Sequence, residues 1–340
     1  MNDRKVVLGL SDGVDSAVAA RILTDMGYEV HGLYLKISGE KAEAQAKKSA
    51  ERLGISFRSL DVSQALEEHV CAPFAKGYLE GETINPCIGC NRNMKFKALI
   101  DYADEIGAAR IATGHYSIVK DGKIYSGYPD NDQSYMLCKL TRDQIKRLLL
   151  PLGGMKKEDV RKIAREMNLP VADKPDSREI CFITDETYAS WLEKRENTPG
   201  KGNAIYNGIV FAEHMGVHRY TVGQRFGETE EGRRLYVSGI DAKENALYLS
   251  LWEDLFIDEI LVRDIVWLTD ELVFPLEGII RARHTRWEMP ECTISLMEDG
   301  RVKVKTKDKL RAPAKGQTAA FYTGDQLIGG GTIDGWLQGC

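Results

Sequence analysis

The sequence predicts an α/β protein with a parallel sheet in its first half, a small linking domain, and a β-barrel at its end. Three observations carry that expectation. Through residue 116, apolar runs alternate with helix-period stretches. The first run, "KVVLGL", passes through a short glycine turn directly into "VDSAVAARILTDMG". Beyond residue 254, short runs of alternating polarity are separated by turn signals.

Taken in order, "KVVLGL", "YEVHGLYLKI", "ISFRSLDV" and "ARIATGHY" read as strands. Between them, "VDSAVAARILTDMG", "GEKAEAQAKKSAERLG" and "NRNMKFKALIDYADEIG" read as helices, each stopping at a glycine suited to a left-handed cap. Strand–helix alternation implies a parallel sheet with helices on both faces, and ligands of such sheets gather beyond the carboxyl ends of the strands. From 141 to 196 the pattern is mostly helical, in "TRDQIKRLLLPL", "KKEDVRKIAREMNL" and "DETYASWLEKREN". The breaker stretch "NTPGKGN" then marks a boundary. "GIIRARH", "CTISLM", "RVKVKTK" and "TAAFYTG", with turns at "EDGR", "YTGD" and "IGGG", complete the barrel. The expected division is 1–197, 198–254 and 255–340.

With 340 residues, 43% of them hydrophobic, the chain can bury several cores. No apolar run reaches membrane-spanning length. The chain enters its first strand at once, without room for a signal or transit peptide, which reads as cytoplasmic. Seven cysteines, an odd number, argue against a disulfide framework and for reduced thiols with one or two chemical specialists. A net charge of −5 argues against a protein that coats nucleic acid generally. Residues 281–315, however, carry ten Lys/Arg against five Asp/Glu, a local basic footprint.

Three constellations carry chemistry. In "LSDGVDS", a strand feeding a helix points backbone N–H groups and a helix N-terminus at one spot, an anion site. Ser11 and Ser16 can add donors and Asp15 can help hold a metal-bound pyrophosphate; an ordinary turn capped by Asp12 or Asp15 is the plain alternative. In "NPCIGCNRNMKF", CxxC reads as redox work, a metal, a nucleophile with a resolving thiol, or two structural cysteines. Cys90 at a helix start, near Arg92 and Lys95, would favour thiolate. In "DSREICFI", Cys181 lies where a polar loop enters a strand.

"SDGVDS" resembles the pyrophosphate loop of the ATP-pyrophosphatase (PP-loop) superfamily. Together with "NPCIGCNRNMKF", "ATGHY", "DQSYML", "DSREICFI", "VGQRFG" and "KGQTAAFY", it is similar over essentially the whole chain to the tRNA-specific 2-thiouridylases. That resemblance implies a PP-loop catalytic domain, a small central domain and a C-terminal β-barrel. The implied activity is ATP-dependent replacement of the C2 oxygen of a tRNA wobble uridine by sulfur, with AMP and pyrophosphate released. It places ATP and Mg²⁺ at Gly9, Leu10, Ser11, Asp12, Gly13, Val14, Asp15 and Ser16, with Leu35 beside adenine and Gly114 admitting the nucleotide. It makes Cys181 the persulfide carrier, loaded by an upstream sulfur carrier or cysteine desulfurase, and Cys90 the thiol that breaks the persulfide. Asn85, Pro86 and Cys87 would line the target base. His115, Asn131, Asp132 and Gln133 would touch tRNA nearby, and Arg283, His284 and Gln317 would touch it from the barrel. A monomer is expected, since tRNA itself supplies the extended surface.

Two departures from the family pattern matter. Asp12 stands where the loop usually has glycine; its charge faces phosphate, and a positive φ there would suit it poorly. Either Asp12 points away or joins Mg²⁺, or this is a weak or inactive tRNA-binding, sulfur-carrying paralogue. Cys87 stands where many relatives have Asp, and Cys87, Cys90 and Cys181 together could hold three irons of a 4Fe–4S cluster.

Overall fold

Val6, Val7 and Leu8 are each fully buried, the signature of a strand covered on both faces, and they form the middle of β1 (Asn2–Gly9). The protein is seen here in a computed structural model that describes all residues except 38, 170, 173, 175–179, 271, 284–288 and 337–340. The chain divides into two compact units. The first comprises 1–70, 87–182 and 325–328; the second comprises 71–86, 183–324 and 329–340.

In the first unit, β1 leads to α1 (Val14–Asp25), β2 (Glu29–Lys36), α2 (Glu40–Leu53), β3 (Ser56–Asp61) and α3 (Ser63–Leu66). After α4 (Ala72–Leu79), which belongs to the second unit, come α5 (Pro86–Gly89), a π-helical turn (Cys90–Lys95) and α6 (Phe96–Glu105). Then follow β4 (Ala108–Ala112), the hairpin β5 (Ser117–Lys120) and β6 (Lys123–Ser126), α7 (Arg142–Arg147), β7 (Leu148–Leu149) and α8 (Lys157–Glu166). The sheet order is β3-β2-β1-β4-β7, every pairing parallel. The expected parallel sheet is therefore present. Helix α2 ends at Gly54, whose φ of 66° is the left-handed cap its sequence anticipates.

One element differs. "RLLLPL" was expected to continue a helix, yet α7 stops at Arg147 and Leu148–Leu149 become the last parallel strand beside β4. A run of three leucines has no period, so neighbours decide its state, and an open sheet edge was available. Helix α1 packs through Val14, Ala17 and Val18 into a core that also holds Val160 and Ala164 of α8 and Val171.

The second unit contains α9 (Tyr188–Arg195) and a five-stranded sheet of β8 (Gly202–Tyr206), β9 (Ile209–His214), β10 (Arg225–Glu228), β11 (Arg234–Asp241) and β12 (Ala246–Ser250). Its core is Ala204, Val217, Leu235, Val237, Leu247 and Leu249. Six strands follow: β13 (Phe256–Trp267), β14 (Leu276–Arg281), β15 (Glu291–Leu296), β16 (Val302–Arg311), β17 (Thr318–Thr323) and β18 (Gln326–Trp336), of which residues 326–328 are counted with the first unit. They run in the order β13-β16-β15-β14-β17-β18, and a β13–β18 pairing closes the barrel, as expected.

Strand β16 carries the lysines of the basic segment. It lies between β13 and β15, so its lysines do not decorate an edge. Val302 and Val304 point inward, while Lys303, Lys305 and Lys307 point outward to Glu259 (3.8 Å), Asp258 (2.8 Å) and Glu291 (3.0 Å). Three lysines of the basic stretch are thereby paired.

Candidate functional site

The turn after β1 leaves the N-terminus of α1 without a side-chain cap. Leu10 N donates to Leu33 O at 2.9 Å, pinning the turn to β2. Gly13 caps α1 in an extended conformation and no side chain occupies the helix N-terminus, so neither Asp12 nor Asp15 acts as the cap. The two serines shape the loop from inside. Ser16 Oγ accepts from Ser11 N (3.0 Å), sits 3.0 Å from Ser11 Oγ, and donates to Gly13 O (3.2 Å). Gly13 N in turn donates to Ser11 Oγ at 3.2 Å.

Both loop carboxylates meet cations from distant parts of the chain. Lys157 Nζ donates to both oxygens of Asp15 (2.8 and 2.7 Å), and Tyr116 OH donates to Asp15 Oδ1 (2.6 Å). Lys174 Nζ pairs with the Asp12 carboxylate and also reaches its main-chain O at 3.3 Å. Asp12 is not among the residues with positive φ, so the backbone bears no penalty for the missing glycine. Its charge is felt nearby: burial, then Asp12 and Glu43, push the Tyr34 phenol up to about 12. At Gly114, a Cβ would sit 3.0 Å from Asp15 C and Ser16 N. The missing side chain lets the start of α1 approach closely here.

The sulfur site lies in the same unit. Cys90 opens the π-helical turn one helical turn after Pro86, so it is not at a helix start, and Arg92 Nη1 is committed to Lys139 O at 3.1 Å. The expectation of a Cys90 thiolate is reversed. Burial pushes its pKa up, Lys95 opposes, and Cys87 adds to the rise. Cys181 lies in a turn, not in the expected strand; 175–179, just before it, fall outside the described residues. Although Cys181 is exposed by area, local desolvation pushes its thiol up to about 11, with Cys90 and Cys87 next in effect and Lys95 opposing. The sulfurs thus share one neighbourhood. Phe182 and Leu35 join Val62, Val70, Cys90 and Met94 in one apolar cluster, so Leu35 packs in the cluster that holds Cys90.

Around the π-helical turn, Asn91 Nδ2 donates to Met136 O (2.9 Å) and Gln144 Nε2 to Arg92 O (2.8 Å), which fixes the segment carrying Cys90. His115 Nδ1 lies 2.7 Å from Thr113 Oγ1, and burial, with Lys95, drives its pKa down to about 3, so the ring is neutral. Asp132 is buried, accepting from Gly127 N (2.8 Å), Ser134 N (3.1 Å) and Ser134 Oγ (2.9 Å). Gln133 Oε1 accepts from Tyr116 N at 3.1 Å. As placed, Asp132 ties Gly127 to Ser134, and Gln133 braces Tyr116. Asn131 presents its amide to Lys157 N at 2.7 Å.

In the second unit, Asn85 and Pro86 are half-buried, Gln317 Oε1 accepts from Ala314 N at 3.3 Å, and Arg283 donates to Ala312 O. His284 lies outside the described residues. Sequence reasoning missed Lys157, Lys174 and Tyr116 because their partners are more than a hundred residues away.

A 4Fe–4S cluster would need Cys87, Cys90 and Cys181 to converge on one ion site. Among the described residues, no group of three or more Cys, His, Asp or Glu side chains is placed to hold a metal ion. The three cysteines as placed do not fit the cluster, and no step is derived through it.

Family models match three stretches: the tRNA methyl transferase HUP domain over 4–185, the tRNA methyl transferase PRC-barrel domain over 192–251, and the aminomethyltransferase beta-barrel domain over 257–333. The tRNA-specific 2-thiouridylase MnmA of Clostridium perfringens is 37% identical, covering 99% of this chain and 100% of that protein. The enzyme of the same name from Clostridium acetobutylicum is 38% identical, covering 97% and 99%. Among solved structures, NMN synthetase from Francisella tularensis aligns at TM-score 0.38 and 19% identity, over 56% of this chain and 72% of that one, and adds nothing to the assignment. With full-length relatives of this similarity, and with a phosphate-type loop and two thiols in one unit, the chain belongs to the tRNA-specific 2-thiouridylase family.

Proposed function

We propose that the protein is a tRNA-uridine 2-sulfurtransferase that uses ATP and Mg²⁺ to replace the C2 oxygen of a wobble uridine by sulfur. The observation that carries this reading is the shared neighbourhood of Cys90 and Cys181 in the unit that also holds the uncapped α1 N-terminus. Uracil oxygen is a poor leaving group. Transfer of AMP from ATP to that oxygen releases pyrophosphate and makes a leaving group that departs as AMP. A terminal persulfide sulfur on Cys181 attacks C2. Cys90 thiolate then attacks the Cys181 sulfur, the persulfide S–S bond breaks, and its electron pair stays on the sulfur now in tRNA. The balance leaves one Cys90–Cys181 disulfide per thiouridine, which an external thiol must reduce. Extrusion of the target base is implied by the need to bring C2 into a pocket.

The finer assignments belong to the same proposal. The sulfur arrives from a carrier or cysteine desulfurase, Cys87 faces the target base, Arg283, His284 and Gln317 meet tRNA, and the protein acts as a cytoplasmic monomer with domain boundaries near 197 and 254. Among the described residues, no helix is long and apolar enough to cross a membrane. The inactive-paralogue reading loses its motive, because Asp12 is paired by Lys174 and its backbone is unstrained. The test is incubation with ATP, Mg²⁺, a persulfide donor and unmodified tRNA, followed by nucleoside mass analysis. 2-Thiouridine that depends on ATP is expected; its absence, with tRNA still bound, would restore the paralogue.

A further inference from the structure

The two lysines at the loop are held differently, and the difference assigns them different work. Lys157 is locked: its ammonium spans both Asp15 oxygens, Asp15 Oδ1 also accepts from Tyr116 OH, and the ammonium lies 5.6 Å from the centre of the Tyr116 ring. Lys174 is half-exposed, with a side-chain exposure of 42%, and its pairing is to one oxygen of Asp12 and that residue's carbonyl. Its backbone, by contrast, is fixed. Arg161 Nη1 of α8 donates to Ala172 O (3.1 Å) and Lys174 O (2.9 Å), and Lys174 N donates to Val171 O (3.1 Å). Val171 is buried in the core shared by α1 and α8. The ammonium can therefore move by rotation of its own flexible stem, while its root stays fixed relative to the phosphate loop.

We infer that Lys174 is a direct ligand of the outer phosphates of ATP, and that Asp12 and the triphosphate compete for its single ammonium. The inference rests on the ATP reading above and goes beyond it. Asp12 in place of glycine then sets nucleotide affinity: it holds the lysine at the loop but must be displaced by the ligand. A nucleoside monophosphate lacks the outer phosphates, so the exchange favours ATP over AMP. Were Lys174 only a neutraliser of Asp12, its removal would matter only while Asp12 is present.

That distinction gives the test. Binding of Mg²⁺·ATP and of AMP is measured by calorimetry on the full-length protein and on Lys174→Met, Lys174→Arg, Asp12→Gly and the Asp12→Gly/Lys174→Met double variant, with thermal midpoints recorded for each. Asp12→Gly should tighten ATP about 3-fold, and Lys174→Met should weaken it about 10-fold, since Asp12 is left unpaired against the phosphates. In the Asp12→Gly background, Lys174→Met should still weaken ATP by about 3-fold or more. AMP should change by less than about 2-fold throughout, and Lys174→Arg should stay within about 3-fold of the unaltered protein. Equal ATP affinity of Asp12→Gly and the double variant would overturn the inference, as would an AMP loss matching the ATP loss. If the unaltered protein binds no ATP, the functional reading falls first and this inference with it.

Discussion

At the turn after β1, Asp12 faces Lys174, and Asp15 faces Lys157 and Tyr116. Around Cys90, by contrast, apolar side chains and neighbouring thiols hold sulfur in its protonated form, with Lys95 the opposing cation. Both regions belong to the same unit, yet one is dressed in matched charge and the other is kept neutral. The loop can then offer backbone N–H groups to a phosphate without facing it with bare carboxylates. The thiols, for their part, are protected from adventitious disulfide exchange, because thiolate is the attacking form. At pH 7.5 a thiol with a pKa near 11 is ionised to only about 10⁻³ to 10⁻⁴. Sulfur must therefore be activated when it is used.

The largest expected break in this comparison comes from the thiols. Cys90→Ala and Cys181→Ala should each lower 2-thiouridine formation by about 10³-fold or more while ATP affinity stays within about 2-fold. Loss of ATP binding in either variant would mean that the two regions are not separable. A smaller effect is expected at Gly114, where an added Cβ must push on the start of α1. Gly114→Ala should destabilise by about 1–3 kcal/mol and weaken ATP binding without altering thiol reactivity; denaturant midpoints and calorimetry report both.

The smallest effect concerns pH. Cys181 is held protonated, so its alkylation by iodoacetamide, followed by peptide mass, should rise about tenfold per pH unit from 7 through 9 without levelling. Lys95→Gln should lower the rate at every pH, because that cation opposes the burial effect. A plateau below pH 9 would contradict the neutral-thiol account.

Much of this arrangement was legible in the sequence, and the exceptions have identifiable causes. Apolar runs bounded by glycines specified four of the five parallel strands, most plainly β1, whose Val6, Val7 and Leu8 are buried on both faces and need little context. Leu148–Leu149 escaped because two residues gain strand character only from a neighbour. The barrel was visible in alternation, whereas the ion pairs that neutralise Lys303, Lys305 and Lys307 depend on cross-strand register. The loop was read from its residues, but Lys157 and Lys174 were not, since more than 140 residues separate them from their carboxylates. The thiolate expectation failed because proximity to Arg92 and Lys95 in sequence says nothing about burial, and burial dominates at Cys90.

The most direct measurement is a single-turnover assay without reductant, in which 2-thiouridine and the redox state of both cysteines are quantified together by mass spectrometry. The account predicts one Cys90–Cys181 disulfide for each 2-thiouridine formed. Thiouridine accumulating while both cysteines remain thiols would contradict it.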